Sequence, residues 1–151
     1  NGEFGGTWDF SIKTDESSGM RLFRFKSKLK EIFINDKPDV LVFERTAGRH
    51  QGAIIIQSEL HGVMKSLCDD YKIEYKAYSA CEIKRYATGK GNANKQAMID
   101  SCLEKYAIDP IDDNHADAVH LWHLANKDLL NDKGWLNEKI TQSFYFTIHF
   151  R

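Results

Sequence analysis

Asp39-Val40-Leu41-Val42-Phe43-Glu44 is an unbroken apolar run, rich in β-branched and aromatic residues, that closes on a carboxylate. A strand with one wet face alternates apolar and polar residues, so a continuous run reads as a strand of parallel type buried on both faces. The residue that ends such a strand emerges at the carboxyl edge of the sheet, where α/β proteins bind ligands. Glu44 is therefore a candidate site residue.

Upstream of this strand, Leu22, Phe25, Leu29, Ile32 and Phe33 recur at helical spacing, with Arg24, Lys26, Lys28, Lys30 and Glu31 between them. The pattern predicts a helix from Met20 to about Asn35, stopped by Asn35-Asp36-Lys37-Pro38. Thr7, Trp8, Phe10 and Ile12 predict a strand over Gly5 to Ile12, followed by a polar loop from Asp15 to Gly19. Downstream, a polar loop from Arg45 to Gly52 leads into a helix from Ala53 to Tyr71 carrying Ile56, Leu60, Val63, Met64 and Leu67. A strand over Ile73 to Tyr78, a short helix over Ala80 to Ala87 and a glycine-containing turn over Thr88 to Ala93 follow. Asn94 is placed to cap a helix that runs to Ala107 and is closed by Asp109-Pro110. A last strong helix spans His115 to Leu130, and Lys139 to Phe150 alternates loosely as a strand would. Strands alternating with helices make this an α/β chain, organised as one domain over 1–130 with a tail over 131–151.

The 151 residues, 42% hydrophobic and 12% aromatic, suffice for one compact core. No apolar run is long enough to span a bilayer, and the opening residues lack the basic and apolar regions of a signal peptide. Cys68, Cys81 and Cys102 are odd in number and form no CxxC pair, so they suggest neither a disulfide framework nor a zinc ribbon, and reduced thiols in a cytoplasm fit best. A net charge of −1 excludes a uniformly basic coat, so the distribution of charge carries the information.

Two clusters stand out. Asp109, Asp112, Asp113 and Asp117, with Asn114 among them, precede and open the last helix. Asp113 and Asp117 are four apart and Asn114 and Asp117 three apart, so either pair presents oxygens on one helical face, bordered by Leu121 and Leu124. Carboxylates beside a buried stripe need compensation, and a hard cation such as Mg²⁺ or Mn²⁺ supplies it; an acidic first turn favoured by the helix dipole is the plainer alternative. The second cluster is Lys84, Arg85, Lys90 and Lys95, threaded through Gly89, Gly91, Asn92 and Asn94 with no acidic residue. Such a loop suits a phosphate backbone, or is simply a solvated surface loop. It is not a Walker loop, because Lys84 stands where the first glycine belongs and Gly91 where Ser or Thr is needed. His115, His120 and His123 share a helix without a matching second ligand cluster, which reads as surface or rim histidines, His115 being the one beside the acidic cluster. Cys68 and Cys102 fall at core spacing.

The strand Val40 to Glu44, the segment Glu82 to Lys95 and the run Asp112-Asp113-Asn114-His115-Ala116-Asp117-Ala118 together resemble RuvC-type Holliday junction resolvases, particularly phage-like members, over about residues 5 to 125. The resemblance implies an RNase-H-like fold, a mixed sheet flanked by helices. It also implies cleavage dependent on Mg²⁺, or Mn²⁺, and a homodimer that cuts four-way DNA junctions in a bacterial cell or phage-infected host. By position, Glu44 matches the family's second catalytic carboxylate and Asp117 its last; Asn114 falls where many members carry Asp or His, so Asp113 is the alternative ligand. Lys84 and Lys95 match basic residues near the scissile phosphate, with Arg85 and Lys90 beside them. Arg45-Thr46-Ala47 lacks the aromatic that some bacterial members insert into the junction. Members of the family begin with two further strands, the first carrying a catalytic Asp. These are expected to be missing here, Asp9 not matching that Asp, so that the 151-residue chain alone is expected to be inactive and to leave an edge of the Val40 to Glu44 strand open, inviting aggregation or replacement by another segment such as Lys139 to Phe150. Two other readings are a non-catalytic nucleic-acid-binding module and another RNase-H-like nuclease.

Overall fold

A computed structural model describes residues 8–47, 51–132 and 143–146. Helix α1 spans Gly19–Asn35, strand β1 Val40–Glu44, helix α2 Gln51–Tyr71, strand β2 Glu74–Tyr78, helix α3 Ala80–Thr88, helix α4 Lys95–Tyr106, helix α5 Asp113–Asp132 and strand β3 Ser143–Phe146. The described strands form a parallel sheet of order β2-β1-β3, with Glu44 opposite Tyr78 and Val40 opposite Ser143. The α/β architecture is the expected one, and β3 pairs with β1 on the edge opposite β2.

β1 is central and its side chains divide two ways, as the two-residue period of a strand requires. Val40 and Val42 enter a core with Tyr78, Ile83, Ala87, Met98, Cys102 and the Ala116, Val119, Leu121 and Leu124 stripe of α5. Leu41 and Phe43 enter the other, built on Phe25, Leu29 and Phe33 of α1 and Leu60, Met64 and Leu67 of α2. Helices thus cover both faces, which is why the strand has no polar residue before its last. Each buried side chain of this size contributes about 1.5–3 kcal/mol.

Local signals set the helix ends. In α3 the Ser79 hydroxyl accepts from the Glu82 amide while the Glu82 carboxylate accepts from the Ser79 amide, and Gly89 closes the helix at φ 79°. In α4 the Asn94 side chain accepts from the Ala97 amide.

Two expectations are corrected. Residues 8–12 form no strand; Gly5 to Thr7 lie outside the described residues. The Phe10 and Ser11 carbonyls accept instead from the Arg21 and Arg24 guanidinium groups, and the Ser11 amide donates to the Asp9 carboxylate. With Phe10 edge-on to Phe25 at 5.6 Å between centroids, the segment docks on α1 through its aromatics, its backbone bonded to side chains. His120 is no rim residue. It is fully buried, with Nε2 3.0 Å from the Met98 carbonyl, and His123 stacks on Tyr106 at 3.6 Å. Burial holds both imidazoles below their ordinary pKa, so they pack as neutral rings between α4 and α5.

Candidate active site

Glu44 continues the Val40 and Val42 face of β1, so its side chain turns toward α5 rather than α2. Asp117 heads the α5 stripe that continues through Leu121 and Leu124 and is half-buried there. Strand end and helix start therefore present two carboxylates to one another at the carboxyl edge of the sheet. Burial pushes the Glu44 pKa up and the Asp117 charge pushes it further, while Lys84 pulls it down. Asp117 is pushed up to about 6, first by burial; Lys84 and Lys95 oppose the shift and Asp113 adds to it. The two acids are charged at a cost that only nearby cations offset.

Lys84, on α3, is half-buried and is the cation felt by both carboxylates. Lys95, the first residue of α4, places Nζ 2.6 Å from Asp113 Oδ2. That pairing raises the Lys95 pKa, with further contributions from Asp117 and Asp112. Glu44, Asp117, Asp113, Lys84 and Lys95 thus form one electrostatic neighbourhood assembled from β1, α5, α3 and α4. Asn114 is half-buried in the first turn of α5 beside Asp113.

Asp112 and His115 serve the helix start. Asp112 Oδ1 accepts from the His115 amide at 2.8 Å, and His115 Nδ1 accepts from the Ile111 amide at 3.1 Å. Arg85 and Lys90 are exposed, and the Arg85 guanidinium reaches Cys81 Sγ at 3.5 Å. The basic loop is nonetheless held to α3. Thr88 Oγ1 donates within hydrogen-bonding distance of the Lys84 and Lys90 carbonyls and accepts from the Lys90 amide. Gly91 approaches Cys81 so closely that a Cβ there would run into the sulfur. Cys68 and Cys102 are buried packing residues, as their spacing indicates.

The donor chemistry suits a hard divalent cation in part. Glu44 and Asp117 offer carboxylate oxygens in a half-buried, charge-strained pair, but among the described residues no group of three or more His, Cys, Asp or Glu side chains is gathered in a metal-holding arrangement. Asp113, the obvious third donor, is engaged by Lys95. Sequence reasoning missed Thr46 and His61, whose side chains meet just past Glu44 with Oγ1 and Nδ1 2.8 Å apart. The contact depends on how α2 lies against β1, and no local pattern announces it.

No protein-family model matches the chain. Its fold is that of RuvC. The Thermus thermophilus RuvC structure superposes with a TM-score of 0.66 at 16% identity, covering 80% of this chain and 75% of that one. The structure of T. thermophilus RuvC in complex with Holliday junction substrate gives 0.62 at 16% identity, covering 74% and 70%. In sequence, the crossover junction endodeoxyribonuclease RuvC of Brachyspira hyodysenteriae is 29% identical over 121 residues, 78% of this chain and 76% of the relative. The chain is RuvC-like in fold and in sequence alike, as the three segments read from the sequence indicate. No helix among the described residues is long and apolar enough to cross a membrane.

Proposed function

We propose that this chain is a structure-specific DNA endonuclease that resolves four-way junctions by cation-dependent phosphodiester hydrolysis. The observation that carries the reading is the Glu44 and Asp117 pair: two desolvated carboxylates at the carboxyl edge of the sheet, flanked by Lys84 and the Lys95 pair with Asp113. A purely structural pair gains nothing from this arrangement, whereas an arriving divalent cation relieves it. Glu44 and Asp117 would hold Mg²⁺ or Mn²⁺, with Asp113 or Asn114 completing the set once Lys95 turns away. The cation would supply electrostatic stabilisation of the phosphate and a positioned attacking water.

The protein's own groups do the rest. Half-buried Lys84 stays beside the carboxylates and faces the scissile phosphate, and Lys95, 81% exposed, is free to exchange Asp113 for a phosphate oxygen. Arg85 and Lys90 extend the positive surface along the loop and hold the DNA backbone without reading sequence. Paired cuts require two sites, and exposed Ile55 with half-buried Ile54 on α2 offers an apolar face for a symmetric homodimer, to be tested by sedimentation of an Ile55→Asp variant.

In the full-length protein, Glu44→Gln and Asp117→Asn should each lower cleavage of a four-way junction by about 10²-fold or more while junction affinity changes little. Near-normal turnover in either variant would remove that residue from the chemistry. A non-catalytic binding module predicts junction affinity without Mg²⁺-dependent cleavage in the unmodified protein.

A further inference from the structure

His61 projects from α2 toward the end of β1 and touches the chain on both sides of Glu44. Its ring lies against the buried Phe43 ring, 4.7 Å between centroids at a 52° tilt, and its Nδ1 is 2.8 Å from Thr46 Oγ1. Phe43 precedes Glu44 and points to the α2 face; Glu44 points to the α5 face. Beyond Glu44 the ladder with β2 continues for one bond only, from the Arg45 amide to the Tyr78 carbonyl at 2.6 Å. The Arg45 guanidinium adds a long 3.4 Å contact to the Ala77 carbonyl. The backbone carrying Glu44 is thus tied to β2 on one edge, and the next fixed point along the chain is the Thr46 contact with His61.

We propose that His61 is a positioning residue for the reaction, clasping Phe43 and Thr46 so that the strand end holds the Glu44 carboxylate in register with Asp117. The inference rests on the reading of Glu44 as a catalytic carboxylate. It needs no contact between His61 and substrate. Burial and the Lys65 charge keep the imidazole below its ordinary pKa, so at neutral pH it is uncharged and Nδ1 can accept the Thr46 hydroxyl proton. Two carboxylates that repel one another as they charge will separate unless the backbone on each side is fixed. α5 fixes Asp117 through a buried stripe, whereas Glu44 is the last residue of its strand, one hydrogen bond short of where ladder support ends. The His61 clasp supplies what the ladder no longer does.

The test compares His61→Phe, which keeps a ring against Phe43 and removes the acceptor, Thr46→Val, which removes the hydroxyl at constant shape, and His61→Asn, which restores a polar atom near the place of Nδ1. In the full-length protein we expect His61→Phe and Thr46→Val each to lower kcat on a four-way junction by about 10-fold with KM within about 2-fold, since small misplacements of a reacting group cost about this much or more. The Mn²⁺ affinity measured by calorimetry without DNA should weaken in parallel. The double variant Thr46→Val/His61→Phe should be no worse than the poorer single one, and His61→Asn should recover most of the loss. Wild-type kcat and Mn²⁺ affinity in Thr46→Val and His61→Phe, with Glu44→Gln inactive, overturns the clasp and leaves the Glu44 assignment standing. An active Glu44→Gln overturns both. Thr46 is half-buried in a loop, so Thr46→Val decides the matter even if substitution at His61 impairs folding.

Discussion

Replacing Asp117 by Asn should make the cation-free protein more stable at neutral pH, although the substitution abolishes the proposed chemistry. A carboxyl that ordinarily titrates at 3.8 and here titrates at about 6 is harder to ionise in the folded chain than in the unfolded one. At 1.36 kcal/mol for each pH unit, the difference corresponds to about 3 kcal/mol. Water reaches this half-buried group and Lys84 loses a partner in the variant, so about 1–3 kcal/mol is the expected gain. The sign follows from proton binding. Between about pH 4 and pH 6 the folded state holds more protons at Asp117 than the unfolded state, so stability from this group falls as pH rises through that window and is flat above it. Urea denaturation in EDTA should therefore show parent and Asp117→Asn nearly equal at pH 4, diverging to pH 6, with the variant ahead at pH 8. Adding Mg²⁺ should stabilise the parent by mass action and leave the variant almost unmoved. A variant less stable than the parent at pH 8 in EDTA would refute the argument that Asp117 is a strained carboxylate awaiting a cation.

Lys84→Met removes the cation that lowers both Glu44 and Asp117, so the acidic limb of the pH profile for cleavage should move to higher pH; an unmoved limb would detach Lys84 from the pair. Lys95→Ala breaks an exposed pair and should barely change stability, yet reduce the slope of log junction affinity against log salt by about one. An unchanged slope would place Lys95 away from DNA. Gly91→Ala drives a methyl into Cys81 Sγ and should destabilise by about 1–3 kcal/mol in thermal unfolding, with Cys81→Ala in the same chain restoring most of the loss.

Much of this fold is legible in the sequence because each element carries its own signal. The unbroken run Val40 to Phe43 announces a strand covered on both faces, and helical spacing with Asn94 and Ser79 at helix starts marks α4 and α3. The candidate residues Glu44, Asp117, Asp113, Lys84 and Lys95 are legible as a strand end and two charged clusters, with roles implied by resemblance, and the structure brings them into one neighbourhood. Their pairing was not legible. That Lys95 holds Asp113, and that Lys84 rather than Arg85 or Lys90 faces the carboxylates, follows from the approach of α3, α4 and α5, which no spacing along the chain encodes. Residues 8–12 misled through composition: aromatics favour strands, but Arg21 and Arg24 on the neighbouring helix take up the carbonyls a sheet would use. His120 carries a polar label and sits four residues after buried Ala116 and four before buried Leu124, a core spacing that outranks the label once the Met98 carbonyl is there to meet the ring.

Single-turnover cleavage of an end-labelled four-way junction beside a linear duplex of the same sequence, with the full-length protein in Mg²⁺ and in EDTA, decides whether the protein resolves junctions. The proposed function requires paired incisions in the junction alone, in Mg²⁺ alone, and lost in Glu44→Gln. Cleavage that treats junction and duplex alike, or that survives EDTA or Glu44→Gln, would contradict it.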